Sequence, residues 1–517
     1  MIDKEGGHRI RFSPDDVELF SAASRDRSPL HLSEEFARKT PYGQPVLFGV
    51  LAGLACIGHF PDRPNRHVSR IAMEFAKPIF AGMEYSLELA DQPGDATTAK
   101  VYDGRDLELK VTCGFHDGNS GPQAAEIDAI SRGPQPLIPE MLSPGFETHG
   151  TYAPDWERVT AVMNRLGLMG KGIDRWQVAA LMWCSYFVGM ELPRGRGLFS
   201  SVSLQFERSN RVNQASLNYG ARVLAFDRRF DLLKAGVTLR SNGGGAATGE
   251  VRAFVRQELS PPEIGKAKTF LSVSPKLQGK VALVVGGSRG LGAAIVQLLS
   301  LQGCKVLVSY HKSKAAAVRL KESLADAPGE VSLLQGNAAD ISWCNEIRQR
   351  VIQEEGRLDF LICTASPALL PLWLEPHMID RVNAHVSQSF ALVSVPMAVF
   401  LDALAENAGW SVVISSTAVR KTVAEWPHYV SAKHAIEGLV KVAAQEYNSV
   451  NFMLVRPPRL LTDLTNTPLG REGALPLERV AARIVKLISR PSDEARLNKI
   501  PSLKIVSDFR RRSQPSF

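Results

Sequence analysis

Two α+β lobes in tandem, followed by an α/β doubly wound domain, form the architecture that the sequence predicts, and three observations point to it. Two stretches rich in Gly, Pro and Ser, at Asp117–Gly145 and Ser260–Gly279, divide the 517 residues into three blocks. Each of the first two blocks sets one apolar helical run among segments that alternate apolar and polar residues. The third alternates short, continuously apolar strands with helices, the pattern of a parallel sheet covered on both faces.

The expected limits are 1–117 for the first lobe, 118–145 for a linker, 146–260 for the second lobe, 261–276 for another linker and 277–517 for the doubly wound domain. So long a chain exceeds a single core. A content of 44% apolar and 22% charged residues describes a soluble globular protein. Met1 to Ser13 is polar and charged, unlike a signal peptide, and no stretch reaches the roughly 18 uninterrupted apolar residues of a membrane span. A cytoplasmic protein with no membrane partner is therefore expected. The net charge of +8 comes without a long basic block or a nucleic-acid-binding motif, so nucleic acid is not an expected partner. Such a surface suits anionic ligands, such as phosphopantetheine thioesters on CoA or an acidic acyl carrier protein. Six cysteines stand singly, with no CxxC pair and no clustered histidines, so no metal site is expected.

In the first block the helical run is Val46–His59, and the strands are Arg70–Phe75, Glu84–Leu89 and Leu107–Thr112. In the second, the run Trp176–Met190 precedes strands Leu198–Phe206, Gln214–Tyr219, Ala221–Phe226 and Ala235–Leu239. Alternation leaves each sheet one apolar face, which the helix covers. One helix wrapped by a curled antiparallel sheet is the hot-dog architecture, and two copies make a double hot dog whose paired sheets bury each other's edges.

The third block offers Val281–Val285, Lys305–Ser309, Val331–Leu334, Phe360–Cys363, Ser411–Ser415 and Asn451–Val455 as the strands of a Rossmann sheet. Its first strand runs into Gly286-Gly287-Ser288-Arg289-Gly290-Leu291-Gly292 and then a helix. Glycines at 286, 290 and 292 let the backbone approach a pyrophosphate, which the helix N-terminus stabilises with free N–H groups. The second strand ends in Ser309-Tyr310-His311-Lys312, where an NAD enzyme places a carboxylate for the ribose hydroxyls. Cations without a carboxylate, Arg289 among them, suit a 2′-phosphate, so the expected cofactor is NADPH.

From Gly279 to about Ile488 the chain resembles short-chain dehydrogenase/reductases of the 3-oxoacyl-carrier-protein reductase type. Ser416 stands 13 residues before Tyr429, and Tyr429-Val-Ser-Ala-Lys433 puts a phenol and an ammonium one helical turn apart. The resemblance implies that Tyr429 protonates the carbonyl oxygen and that Ser416 positions the carbonyl. Lys433 would lower the tyrosine pKa and hold the nicotinamide ribose. Asn383, in Asp380-Arg-Val-Asn, would anchor a proton-relay water. It further implies cofactor contacts from Gly286, Ser288, Arg289, Gly290, Leu291, Gly292, Tyr310, His311, Lys312, Asn337, Ala338 and Ala365, with Tyr429 and Lys433. The chain departs from the pattern with Val285 for Thr, Cys363-Thr-Ala-Ser366 for Asn-Asn-Ala-Gly, Asn337 for Asp, and Pro457-Pro458 for Pro-Gly.

Near the N-terminus, Ser13-Pro-Asp-Asp reads as a capped helix start, and Ser24-Arg-Asp-Arg-Ser-Pro-Leu-His31 carries Asp26 and His31 on a loop closed by Pro29. Phe20 to Ala52 resembles the MaoC-like (R)-specific enoyl hydratases, whose signature is Asp-x-Asn-Pro-x-His followed by His-Gly at the central helix. Asp26, Pro29 and His31 match; Ser28 replaces Asn, and Phe48-Gly49 replaces His-Gly. A carboxylate and an imidazole can divide removal of an α-proton from protonation of a leaving hydroxyl. The resemblance implies that the Gly49 N–H steadies the thioester enolate. The second lobe has no histidine between His149 and His311, so it is expected to support the first without repeating its chemistry.

Taken together, a bifunctional enzyme is expected, reducing a 3-oxoacyl thioester with NADPH and dehydrating the (R)-3-hydroxyacyl product to a trans-2-enoyl thioester. The same pair run backwards, as in β-oxidation, and a hot-dog half that only binds thioesters or dimerises are the alternatives. Both resemblances imply a homo-oligomer.

Overall fold

The structure, a computed structural model, describes residues 8–117, 138–207, 216–241, 245–257, 259, 261–369, 371–490 and 503–509. It divides into two compact units, Met1–Arg38 with Gln44–Gln257, and Glu258–Phe517 with Lys39–Gly43. Most of the expected linker at 118–145 lies outside the described residues.

The strands of unit one are β1 (His8–Arg11), β2 (Arg66–Phe75), β3 (Glu84–Gln92), β4 (Ala96–Asp103), β5 (Asp106–Asp117), β6 (Glu147–Tyr152), β7 (Gly197–Glu207), β8 (Leu217–Asp227), β9 (Leu232–Ser241) and β10 (Ala246–Val255). They form one sheet in the order β1-β3-β4-β5-β2-β7-β10-β9-β8-β6. Its helices of seven or more residues are α1 (Pro14–Ser24), α2 (Gly49–Gly58), α3 (Trp156–Arg165) and α4 (Arg175–Tyr186). In α2 every residue from Val50 to Ile57 is buried, and in α4 every residue from Trp176 to Ser185. Helices apolar all round belong inside a core, and these two occupy the centres of the two lobes. The lobes meet where β2 pairs antiparallel with β7, from Arg70 opposite Gln205 to Glu74 opposite Ser201.

Two expected strands in the second lobe, Gln214–Tyr219 and Ala221–Phe226, are a single strand, β8; Gln214 lies outside the described residues. Gly220 does not break it, because it pairs with His149 on one side and Thr238 on the other. A fully laddered glycine keeps its backbone hydrogen bonds, which outweighs its weak strand preference.

Unit two carries β11 (Val281–Val285), β12 (Lys305–Tyr310), β13 (Val331–Gln335), β14 (Phe360–Cys363), β15 (Trp410–Ile414), β16 (Asn451–Val455) and β17 (Leu503–Val506). They make a parallel sheet in the order β13-β12-β11-β14-β15-β16-β17. Its longer helices are α5 (Ile264–Phe270), α6 (Gly290–Ser300), α7 (Lys314–Ser323), α8 (Ile341–Glu355), α9 (Ile379–Glu406), α10 (Pro427–Glu446) and α11 (Leu477–Ile488). One apolar layer joins α6 and α11 to the sheet, and another joins α8, α9 and α10 to its opposite face. The order turns back at β11, so the crevice beyond the carboxyl ends of β11 and β14 is where such sheets bind ligands.

Helix α5 lies in the stretch expected as a second linker; its Ala267 is fully buried in the α6 layer, which ties that segment to unit two. Pro376–Glu406 is long and apolar enough to cross a membrane by length and composition, although acidic and basic residues interrupt it in the sequence. Half of its apolar window is buried, as the packing of a core helix against β14 and β15 requires.

Candidate active sites

In unit two, β11 delivers the chain into the glycine turn, where the N–H groups of Gly286 and Gly287 donate to Ser309 O at 3.1 and 3.0 Å. Gly286 has φ +81°, and a Cβ there would lie 2.7 Å from Ala365 N. A Cβ on Gly292 would lie 2.3 Å from Gly286 O and 2.7 Å from Thr364 Oγ1. Gly290, at φ +57° and facing open space, begins α6. The turn is thus a bare backbone cradle at a helix N-terminus, and it fits a diphosphate. Ser288 and Leu291 are buried beside it, and Arg289 is exposed.

Beyond β12, Tyr310 is buried while His311 and Lys312 are exposed. Asn337 Oδ1 accepts from Ala339 N at 3.1 Å, a local turn that leaves Ala338 buried beneath it. The reading of this corner as free of carboxylate was incomplete. Arg289 Nη1 lies 3.5 Å from Asp463 Oδ2, a group some 170 residues away in sequence and invisible to local pattern. Burial raises the Asp463 carboxyl above its ordinary value, and the Arg289 charge works against that.

Ser416, Tyr429 and Lys433 come together at the carboxyl end of β15. Ser416 starts a short turn, accepting from Ala418 N at 3.1 Å, and hydrogen-bonds Tyr429. Lys433 is buried, one turn along α10; its Nζ donates to Ile414 O at 2.9 Å and lies 5.6 Å from the centre of the Tyr429 ring. Burial pulls the ammonium down to about 8, with Glu437 opposing. The tyrosine differs from expectation: burial raises its pKa, and the opposing influence is the Ser416 hydrogen bond rather than Lys433. The physical reason is desolvation, which disfavours the phenolate here.

Sequence reasoning missed what holds this group. Glu437 accepts from Ser415 Oγ at 2.6 Å, from Arg456 Nε at 2.8 Å and from Arg456 Nη2 at 2.5 Å. These bonds pin α10 to the ends of β15 and β16 and keep Lys433 in register.

Asn383 is exposed on α9, and the Lys433 charge acts on His385 of the same helix. The buried positions of that helix, Val382, Ser389, Val393, Pro396 and Phe400, define a face. At about 100° per residue, 385 falls near this face and 383 turns away from it. The His385 ring meets that of His428 edge-on at 4.4 Å.

In unit one, Ser13 and Asp16 cap α1 reciprocally, and Arg25 in the left-handed region (φ +57°) ends it. Asp26 follows, 1% exposed. Its Oδ1 accepts from Ser28 N at 2.9 Å and its Oδ2 from Ser185 Oγ at 2.8 Å. A Cβ on Gly189 would lie 2.4 Å from Asp26 Oδ1, so the turn after α4 must be bare there. Burial pushes the Asp26 carboxyl up to about 6, and these two hydrogen bonds limit the rise. The rings of Tyr152 and Tyr186, 5.3 Å apart, stand within electrostatic reach of it.

His31 Nδ1 lies 2.7 Å from Val46 O. A carbonyl only accepts, so Nδ1 carries the hydrogen and Nε2 keeps a free lone pair. Burial lowers the imidazole to about 4, leaving it neutral near pH 7. Its ring packs on Phe48 at 4.1 Å, one residue before Gly49 opens α2. A Cβ on Gly49 would lie 2.7 Å from Phe75 Cε1, so a larger residue at this helix start would have to displace the Phe75 ring. No hydrogen bond joins Asp26 to His31; separate partners hold an acid and a base. Ser185 was legible in principle, as a serine buried in the otherwise apolar end of α4.

Residues 280–470 match the short chain dehydrogenase family and residues 3–105 the MaoC like domain. A short-chain dehydrogenase/reductase of Pestalotiopsis microspora is 30% identical over 37% of this chain and 72% of its own length. A 3-oxoacyl-[acyl-carrier-protein] reductase of Synechocystis is 29% identical over 42% of this chain and 92% of its own. The 15-hydroxyprostaglandin dehydrogenase [NAD(+)] of Bos taurus is 30% identical over 34% of this chain and 64% of its own. Across such relatives the matched stretch spans from 34% to 92% of their length.

Proposed function

Because its C-terminal half belongs to the short-chain dehydrogenase/reductase family and its N-terminus carries a MaoC-like domain, we propose that this chain reduces a 3-oxoacyl thioester with NADPH and dehydrates the product. The carrying observation is that Ser416, Tyr429 and Lys433 converge in one unit while a neutral His31 and an Asp26 raised by burial to about 6 occupy the other. Reduction alone would need only the first set.

When bound, NADPH supplies a hydride to the carbonyl carbon, and the bare cradle at Gly286–Gly292 with Arg289, His311 and Lys312 would hold it. Tyr429, kept protonated by burial, gives its proton to the carbonyl oxygen. Ser416 hydrogen-bonds the same oxygen and fixes the carbonyl's orientation.

For dehydration, His31 Nε2 takes the α-proton as the C–H pair moves into the new double bond. Asp26, as the acid, protonates the departing hydroxyl, which leaves as water. The proton then returns from imidazolium to carboxylate, restoring both groups. The N–H at Gly49 faces the charge that builds on the thioester oxygen. The second lobe holds Asp26 in place, and we read the ten-stranded sheet with its two central helices as a double hot dog. CoA or an acyl carrier protein would bear the thioester, in the cytoplasm, with the chain self-associated.

The NAD(+) in the name of the Bos taurus relative favours, as a second reading, the same pair run in the reverse, oxidative direction. A panel of 3-oxoacyl thioesters incubated with NADPH, with products identified by mass spectrometry, tests the reading. An (R)-3-hydroxyacyl intermediate followed by a trans-2-enoyl product is expected; absence of NADPH oxidation on every member would overturn it.

A further inference from the structure

The second lobe brings a set of polar side chains, unused by the chemistry above, to the side of Asp26. Tyr186 ends α4 directly after Ser185, the residue that donates to Asp26, and Gly189 in the following turn, Phe187–Glu191, lies against the same carboxylate. The Tyr186 ring stands 5.3 Å from that of Tyr152, whose hydroxyl donates to Ser24 O at 2.9 Å, two residues before Asp26. Glu191 closes the turn, and its Oε1 accepts from Tyr219 Oη at 2.5 Å. Tyr219 Oη in turn lies over Gly150, where a Cβ would come within 2.4 Å of it, so β6 is bare at that point. Gly150 and Tyr152 share one face of β6, which gathers the three tyrosines into one group. The hydroxyls of Tyr152 and Tyr219 are satisfied within the protein. That of Tyr186 has no hydrogen-bond partner among the described residues, and neither has the second oxygen of Glu191. Trp183, one turn back on α4 with its ring 4.9 Å from that of Tyr219, is fully buried with its Nε1 unpaired. Buried donors are nearly always paired, so this corner lacks an oxygen that a ligand or a water would bring.

We propose that Tyr186 and Glu191 form a subsite for a second hydroxyl on the acyl chain, beyond the one that leaves. This rests on the dehydratase reading above, in which Gly49 and His31 take the thioester end and Asp26 the C3 hydroxyl. Chain atoms beyond C3 then meet the end of α4, which supplies Ser185, Tyr186 and the turn to Glu191. A phenol donates and a carboxylate oxygen accepts, and an alcohol does both, so one hydroxyl satisfies the pair. A ketone would leave Glu191 unmatched. A plain alkyl chain would strip water from both groups and replace none of their hydrogen bonds. The Tyr219 hydrogen bond favours the accepting, ionised form of Glu191 against the rise caused by burial. Chains built by repeated two-carbon addition carry oxygen at alternate carbons, which makes C5 the first place for such a hydroxyl. The substrate class is therefore a 3,5-dihydroxyacyl thioester.

The test separates this subsite from the reading beneath it. The full chain is assayed for enoyl formation with (3R)-3-hydroxyhexanoyl-CoA, with both C5 epimers of (3R)-3,5-dihydroxyhexanoyl-CoA, and with (3R)-3-hydroxy-5-oxohexanoyl-CoA. In the wild type, kcat/KM for one dihydroxy epimer should exceed that for the 3-hydroxy chain by at least about tenfold, the scale of a buried hydrogen bond to a charged group. Tyr186→Phe keeps the ring and removes the donor, and should bring that ratio close to one. Glu191→Gln keeps a carbonyl oxygen for Tyr219 and turns an amide N–H toward the substrate, so preference should pass from the 5-hydroxy to the 5-oxo chain. If the wild type does not distinguish the chains, or prefers the plain or the 5-oxo one, the proposal is overturned. It is overturned equally if both variants change kcat/KM for every substrate in the same proportion or abolish it for all. A wild type that dehydrates none of the substrates would overturn the dehydratase reading instead.

Discussion

Ser185, on the helix of the second lobe, donates its hydroxyl to Asp26 of the first at 2.8 Å, so the second lobe sets the state of that acid. That hydrogen bond favours the carboxylate and opposes the rise caused by burial. Ser185→Ala should therefore raise the Asp26 pKa above about 6, moving the corresponding limb of the dehydration pH profile upward. The dehydration rate should fall about tenfold, with reduction unchanged. An unshifted limb would mean that Ser185 only packs.

Removing the acid or the base itself should cost more. Asp26→Asn or His31→Ala should lower dehydration of a supplied (R)-3-hydroxyacyl thioester by roughly 10² or more, measured by enoyl formation. Ketone reduction should continue. Near wild-type dehydration in both would favour a hot-dog half that merely binds thioesters.

The same carboxyl gives a stability signature. Its folded pKa of about 6 lies above the ordinary 3.8, so its stabilising contribution is complete below 3.8 and is lost as pH rises through 6. Asp26→Asn removes the buried charge and should gain on wild type as pH rises, by up to about 3 kcal/mol near pH 8 and little near pH 4. Thermal unfolding at both values checks it; an equal offset at each would exclude titration of Asp26.

Nucleotide choice should follow the cations at the mouth of the glycine turn. NADPH should exceed NADH by at least about tenfold in kcat/KM, which one charge-assisted phosphate contact of about 1.4 kcal/mol supplies. Arg289→Ala should erase most of that margin, and Asp463→Asn should widen it by freeing Arg289 from its 3.5 Å partner. Equal efficiency with both nucleotides in the wild type would refute the assignment.

Tyr429→Phe keeps the ring and removes the proton donor, so reduction should collapse while NADPH still binds. The variant should still dehydrate an (R)-3-hydroxyacyl thioester and leave the (S) isomer untouched. Release of (S) alcohol by the wild-type reductase would mean that the two activities do not act in sequence.

Local pattern carried much of this. The glycine turn, the Ser416–Tyr429–Lys433 spacing and the Asp26–His31 loop are short-range features, because strand-turn-helix geometry and helical repeat act over a few residues. Strands β1, β4, β6, β10 and β17 were not anticipated. In β10 the run Ala-Ala-Thr-Gly-Glu-Val-Arg is small and charged, and it becomes a strand because β7 and β9 flank it on both sides. The same limit explains Ser185, Asp463 and Arg456, whose partners lie 159, 174 and 19 residues away. On α9 the helical repeat leaves Asn383 exposed and puts 385 nearer the buried face, a distinction that the motif's letters do not carry.

The pairing of β2 with β7 has a consequence for how this chain could change over time. Cut between the lobes, it would leave the β2 edge bare, ready to pair with whatever strand it met. Covalent tandem linkage keeps the right neighbour at high effective concentration. It also releases the two halves from having to be identical, as a symmetric pair of subunits must be. One half can then keep an acid and a base while the other specialises as a tuner of that acid, and a substitution at Ser185 would be inherited once per active site rather than in duplicate.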